Sequence, residues 1–176
     1  TDATVTANTG SATIGTATAG DNATVEAGVD VTIDSIEATS GAASVTAEQN
    51  ASVDTLTAGT DATVTANTGS ATIGTAIAGD DATVVAGVDA TIDSIEATSG
   101  AVSVTAEGDA IIGTAVAGTD ATITSNAGTV DATKVEAISG AASVTAEQDA
   151  SVDTLTAATD ATVTANTGSA TIGTAT

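Results

Sequence analysis

The stretch TDATVTANTGSATIGTAT, residues 1–18, stands again unchanged at 159–176 and, with Ile77 as its one difference, at 60–77. A chain that copies itself this closely is built from stacked versions of one small unit, so its period has to be found before its fold. Working outward, DNATVEAGVDVTIDSIEATSG at 21–41 returns as DDATVVAGVDATIDSIEATSG at 80–100, an offset of 59. AASVTAEQNASVDTLTAG at 42–59 returns as AASVTAEQDASVDTLTAA at 141–158, an offset of 99. Beneath these copies lies a finer spacing. The central branched residues Val5, Val25, Val45, Val64, Val84, Val104, Ile123, Val144 and Val163 are separated by 20, 20, 19, 20, 20, 19, 21 and 19 residues.

Two further apolar series share that spacing. One is Ile14, Ile33, Val53, Ile73, Ile92, Ile112, Val152 and Ile172; the other is Ala17, Ile36, Leu56, Ala76, Ile95, Ala115, Val135, Leu155 and Ala175. Each unit of about 20 residues therefore has three short apolar-centred segments. Inside a segment the alternation has period two, as in Ala3, Val5 and Ala7 against Thr4 and Thr6, which is the signature of a strand. Thr, Val and Ile suit a pleated surface. Pairs such as Thr9-Gly10, Ala19-Gly20, Ser40-Gly41 and Ser99-Gly100 mark corners. Three strands per turn and a small-residue interior predict an all-β parallel β-solenoid of triangular cross-section. Nine coils at about 4.8 Å each make a rod about 43 Å long.

Composition agrees with a thin interior. The chain has no Phe, Tyr, Trp, Cys, Met, Pro or His, and its 41% of apolar residues is mostly Ala and Val. Side chains that small bury little area each, so a compact globule is excluded and each coil has to be covered by its neighbours. Strands without proline can all donate to the coil beside them. A mean hydropathy of +0.30 argues against disorder. No apolar run of membrane-spanning length occurs. The offset of 158 between 1–18 and 159–176 predicts a single solenoid segment over 1–176, cut from a longer array with a super-repeat of 158 residues.

The net charge is −22, from 23 acidic residues against the single basic Lys134. Nothing is present to neutralise phosphates or to stack on bases, which argues against nucleic-acid partners, and an anionic membrane surface is repelled. Without Cys or His, any metal has oxygen ligands only.

The run GDDATVVAGVDATIDSIEATSGAVSVTAEGDAIIGTAVAG, residues 79–118, resembles the shaft repeats of the filamentous-haemagglutinin-like large exoproteins of Gram-negative bacteria. Their coils have the form G-D-(small or apolar)-T-[VIL]-x-(A or S)-G, and the likeness extends over the whole chain. It implies a right-handed parallel β-helix, exported through an outer-membrane partner and located outside the cell or on the bacterial surface. It also implies a stalk or surface fibre, whose partners are copies of itself along or beside the fibre, or a host or neighbouring cell reached through other domains. The amino-terminal secretion domain of that family has no counterpart in these residues.

The same architecture includes polysaccharide lyases, whose sites need carboxylates beside bases and aromatic platforms for sugars. One Lys and no aromatic residue argue for a non-enzymatic chain with no catalytic residues and no cofactor. Stacking brings carboxylates together: Asp34 is expected to face Asp54, Asp89 to face Asp109, Asp131 to face Asp153, and Asp30 to face Asn50. Asp34, Asp54, Asp89 and Asp109 are the candidate Ca²⁺ ligands, weighed against solvated corner charges that keep a fibre soluble. Outward pairs such as Thr4 and Thr6, Thr63 and Thr65, Thr122 and Thr124, and Thr162 and Thr164 raise an ice-binding alternative, against plain β-propensity. Glu26, Ser44, Val85 and Ser143 interrupt those rows. Ile77 and Val116, apolar in an outward column of Thr and Glu, mark a lateral contact or sequence drift. Lys134, in the irregular coil 119–140, is expected to project outward near Glu136.

Overall fold

The structure, a computed structural model, describes residues 1–176. Its strands, in chain order, are β1 (Ala3–Ala7), β2 (Ala12–Ala19), β3 (Ala23–Ala27), β4 (Val31–Ala38), β5 (Ala43–Ala47) and β6 (Ala51–Ala58). They continue with β7 (Ala62–Ala66), β8 (Ala71–Ala78), β9 (Ala82–Ala86), β10 (Ala90–Ala97), β11 (Val102–Ala106) and β12 (Ala110–Ala117). The last six are β13 (Ala121–Ser125), β14 (Val130–Ala137), β15 (Ala142–Ala146), β16 (Ala150–Ala157), β17 (Ala161–Ala165) and β18 (Ala170–Ala175). There is no helix. Each coil holds one short and one long strand, and every strand pairs in parallel with its equivalents in the coils above and below. Odd strands make one nine-stranded sheet and even strands make another. This is the predicted nine-coil parallel β-solenoid.

The second and third apolar segments run on as one eight-residue strand instead of two separate ones, and the reason lies in its inward residues. In β10 they are Ala90, Ile92, Ile95 and Ala97, so the alternation skips a beat at Asp93 and Ser94, which both face outward. The pairing skips there too, from Ile92 opposite Ile112 to Ser94 opposite Thr114. Two outward residues in succession bend the strand, and the cross-section keeps three sides with only two loop-like corners.

Those corners explain the uneven period. Corners of three residues, such as 28–30 and 59–61, alternate irregularly with corners of four, such as 8–11 and 39–42. A coil with two short corners is 19 residues long, one with a single long corner is 20, and the coil containing 126–129 and 138–141 is 21. The backbone ladder continues through the bends: Gly28 N–H donates to Ala7 O at 2.8 Å and Thr39 N–H to Ala19 O at 3.0 Å. Length variation is thus absorbed outside the strands and the inward columns stay in register.

A single core of 49 buried residues fills the interior, all of them Ala, Val, Ile or Leu. Along one column Ile36, Leu56, Ala76, Ile95, Ala115, Val135 and Leu155 succeed one another, so large and small residues interleave. The irregular coil obeys the same volume rule. Val130 stands where most coils have Ala and Ala132 where they have Val or Ile, and both are buried. Exchanging the two positions conserves volume, so the broken A-T-I triplet leaves no void.

Candidate functional surfaces

Eight of the 23 acidic residues have a structural task at the corners, where each accepts a backbone N–H of the next coil. At the residue just before a strand the chain is leaving a bend, and its N–H has no carbonyl beneath it. Where the corner one coil below ends in Asp or Asn, that side chain supplies the acceptor; over Ser11 and Ser70 the hydroxyl does, for Asp30 and Asp89. Asp2 Oδ1 accepts from Asn22 N–H at 3.0 Å, Asn22 Oδ1 from Ala42 N–H at 3.0 Å, and Asp81 Oδ1 from Ala101 N–H at 2.8 Å. At the other corner Asp30 serves Asn50, Asn50 serves Ser70, Asp89 serves Asp109 and Asp109 serves Thr129, at 2.8–3.0 Å. Thr129 adds its hydroxyl to Asp109 Oδ1 at 3.0 Å. Each such side chain replaces a backbone carbonyl where the ladder would break.

This arrangement gives the glycines a role that sequence reading assigns to turns. None of them has a positive φ. Gly41, Gly69, Gly100, Gly128 and Gly168 lie directly over the accepting Asn22, Asn50, Asp81, Asp109 and Asp149, and a Cβ would run into that oxygen and the adjacent backbone. They are needed for close approach between coils. The Ser or Thr preceding several of them ties the longer corner down, as Ser40 Oγ does to Gly20 O and Thr68 Oγ1 to Glu48 O, both at 2.6 Å.

Asp89 stacks against Asp109 and Asp34 against Asp54, as expected from the spacing. Asp89 and Asp109 are committed to backbone N–H groups; Asp34 and Asp54 sit at the bend of β4 and β6 and are exposed. The expected Asp131–Asp153 pair does not form. Asp131 lies between Ile111 and Ser151, and the neighbour of Asp153 is Thr133, because β14 and β16 pair at an offset of 20 and Asp131 is the second residue of its strand where Asp153 is the fourth. No three His, Cys, Asp or Glu side chains converge as a metal site.

Lys134 stacks between Thr114 and Thr154 and pairs with Glu136 at 2.6 Å, as its position implied. Ile77 and Val116 flank Glu96 in their outward column. Asp21 Oδ1 accepts from Ser40 Oγ at 3.2 Å.

Ser125 was invisible as a special residue in the sequence. It replaces Ala in its column, is 1% exposed, accepts from Gly128 N–H at 3.0 Å and donates to Gly108 O. A shallow depression of about 390 Å³ lies beside Gly28, bordered by Thr6, Asn8, Glu26, Glu48 and Asn67. Asn67 Nδ2 donates to Glu48 Oε2 at 3.1 Å. No cationic or aromatic group reaches it.

The outer face of the odd strands is different from the rest of the surface. Its two columns are Thr or Ser at every position except Glu26 and Val85. All other acidic residues project from the corners or from the even strands. A molecule of net charge −22 thus carries one nearly uncharged, hydroxyl-bearing side. No family model, curated protein or solved structure matches the chain.

Proposed function

We propose that this chain is the shaft of an extracellular bacterial fibre or adhesin, of the filamentous-haemagglutinin-like kind, and that its role is mechanical. The observation that supports the reading most is the unbroken ladder: two nine-stranded parallel sheets whose corners are also hydrogen-bonded from coil to coil. Load along the axis is shared by every backbone bond in a coil. The acceptor side chains at the corners reinforce the places where such a rod would open first. An acidic exterior keeps neighbouring rods soluble.

The test has two parts. Immunogold labelling of the source cells with antibody to this chain is expected to decorate surface fibres; label confined to the cell interior would overturn the reading. Deleting residues 21–79, one 59-residue period, is expected to shorten the rod by about 14 Å in small-angle scattering while leaving it folded. A second reading, ice binding through outward Thr rows, is favoured by the uncharged face of the odd strands. Thermal hysteresis in a freezing-point measurement tests it.

A further inference from the structure

We propose that the uncharged face of the odd strands is an interface between two copies of this chain, which meet face to face with their solenoid axes antiparallel. The inference goes beyond a shaft role and does not depend on it.

Charge, area and the two exceptions in the pattern point the same way. Any other approach that sets like faces together opposes the acidic corners or the Asp and Glu columns of the even strands to each other. The face of the odd strands measures about 43 Å by 16 Å, from nine strands of five residues. A pair would bury about 1,400 Å², within the range of specific interfaces. Val85, 39% exposed, is the apolar residue at the middle of this face. It stands between Thr65 and Thr105, with Thr46 and Thr124 beyond them.

A two-fold axis along β9 brings Val85 against Val85 of the second copy, an isologous contact that closes at two. It also sets Thr65 against Thr105 of the other copy. Glu26, three coils from Val85 on one side, then meets Thr145, three coils away on the other, and within the two columns of the face no carboxylate meets another. A two-fold axis along the rod instead would place Val85 against Thr83 and bring the two Glu26 side chains close together. The pattern on the face therefore selects the antiparallel arrangement.

The acidic corners border this face, so dimerisation is expected to require salt. The Debye length falls from about 10 Å at 0.1 M to about 3 Å at 1 M. Sedimentation velocity with interference optics, which needs no aromatic absorbance, is expected to give 16.3 kDa at low salt and about twice that mass in 1 M NaCl. The double variant Thr65→Asp/Thr105→Asp is expected to stay monomeric. Thr75→Asp/Thr114→Asp, with the same charge in the same coils but on the even strands, is expected to dimerise like the parent. Thr65→Lys/Thr105→Asp, self-complementary only in the antiparallel pairing, is expected to dimerise at lower salt than the parent. Val85→Thr, which repeats its neighbours and leaves the fold intact, is expected to weaken the dimer. Monomer at every salt concentration, with or without thermal hysteresis, overturns the proposal. So do species larger than a dimer, equal loss in both Asp variants, or no gain from the Lys/Asp pair.

Discussion

Asp109 is where the structural and the ionic meanings of the acidic residues separate. Its Oδ1 accepts both the N–H and the hydroxyl of Thr129, at 2.8 and 3.0 Å, while its own N–H is bound by Asp89. Asp109→Ala removes two hydrogen bonds to a charged acceptor. Each is worth at most about 1.5–3 kcal/mol, and an exposed corner, where water can replace the acceptor, reduces the gross loss to about 1–2 kcal/mol in all. Opposing this, removing one of two stacked carboxylates about 4.8 Å apart relieves up to about 0.9 kcal/mol of repulsion in water. Asp109→Asn gains the same relief and keeps the accepting oxygen, as Asn22 and Asn50 do in equivalent corners. The Ala variant is therefore expected to be about 1–2 kcal/mol less stable than the Asn variant, and the Asn variant equal to or above the parent. Equilibrium urea unfolding followed by far-UV circular dichroism measures both, in chelator and again with millimolar Ca²⁺. If Asn destabilised as much as Ala, and only when Ca²⁺ was present, the carboxylate would be a metal ligand and the reasoning would fail.

Two further outcomes follow from the same geometry. Val130→Ala should cost about 1–3 kcal/mol by urea unfolding, and Val130→Ala/Ala132→Val should return to within about 1 kcal/mol of the parent, because the pair conserves volume. Ser125→Ala should cost about 1–2 kcal/mol, since it strands the buried N–H of Gly128; a neutral result would mean that water or a shifted corner satisfies that donor.

Much of the solenoid was legible because an inward column forces like residues into like positions at fixed spacing. Val5, Val25 and Val45 announce a stacked sheet by themselves. The bend in the even strands was less legible. Ile92 and Ile95 are three apart, which reads equally as two strands with a corner or as one strand with a skipped beat, and only pairing on both sides of Asp93 decides. The corner ladder left a signal that could have been read: short corners end in Asp or Asn, and Gly recurs one coil later, as in Asn22 with Gly41 and Asp109 with Gly128. Ser125 left none, since an Ala-to-Ser change at a column position looks like drift until its burial is known.

The sequence alone determined the period, the strand class, the thin aromatic-free core and the sign of the surface, because each follows from local pattern or from composition. Tertiary structure decided what the repeats mean across coils. Residues about 20 apart become neighbours only when stacked, so whether Asp89 holds a cation or a backbone N–H, and whether a glycine serves φ or clearance, is fixed by the coil above. The segregation of the acidic residues away from the odd strands is likewise a property of faces, which exist only after the chain has turned its corners.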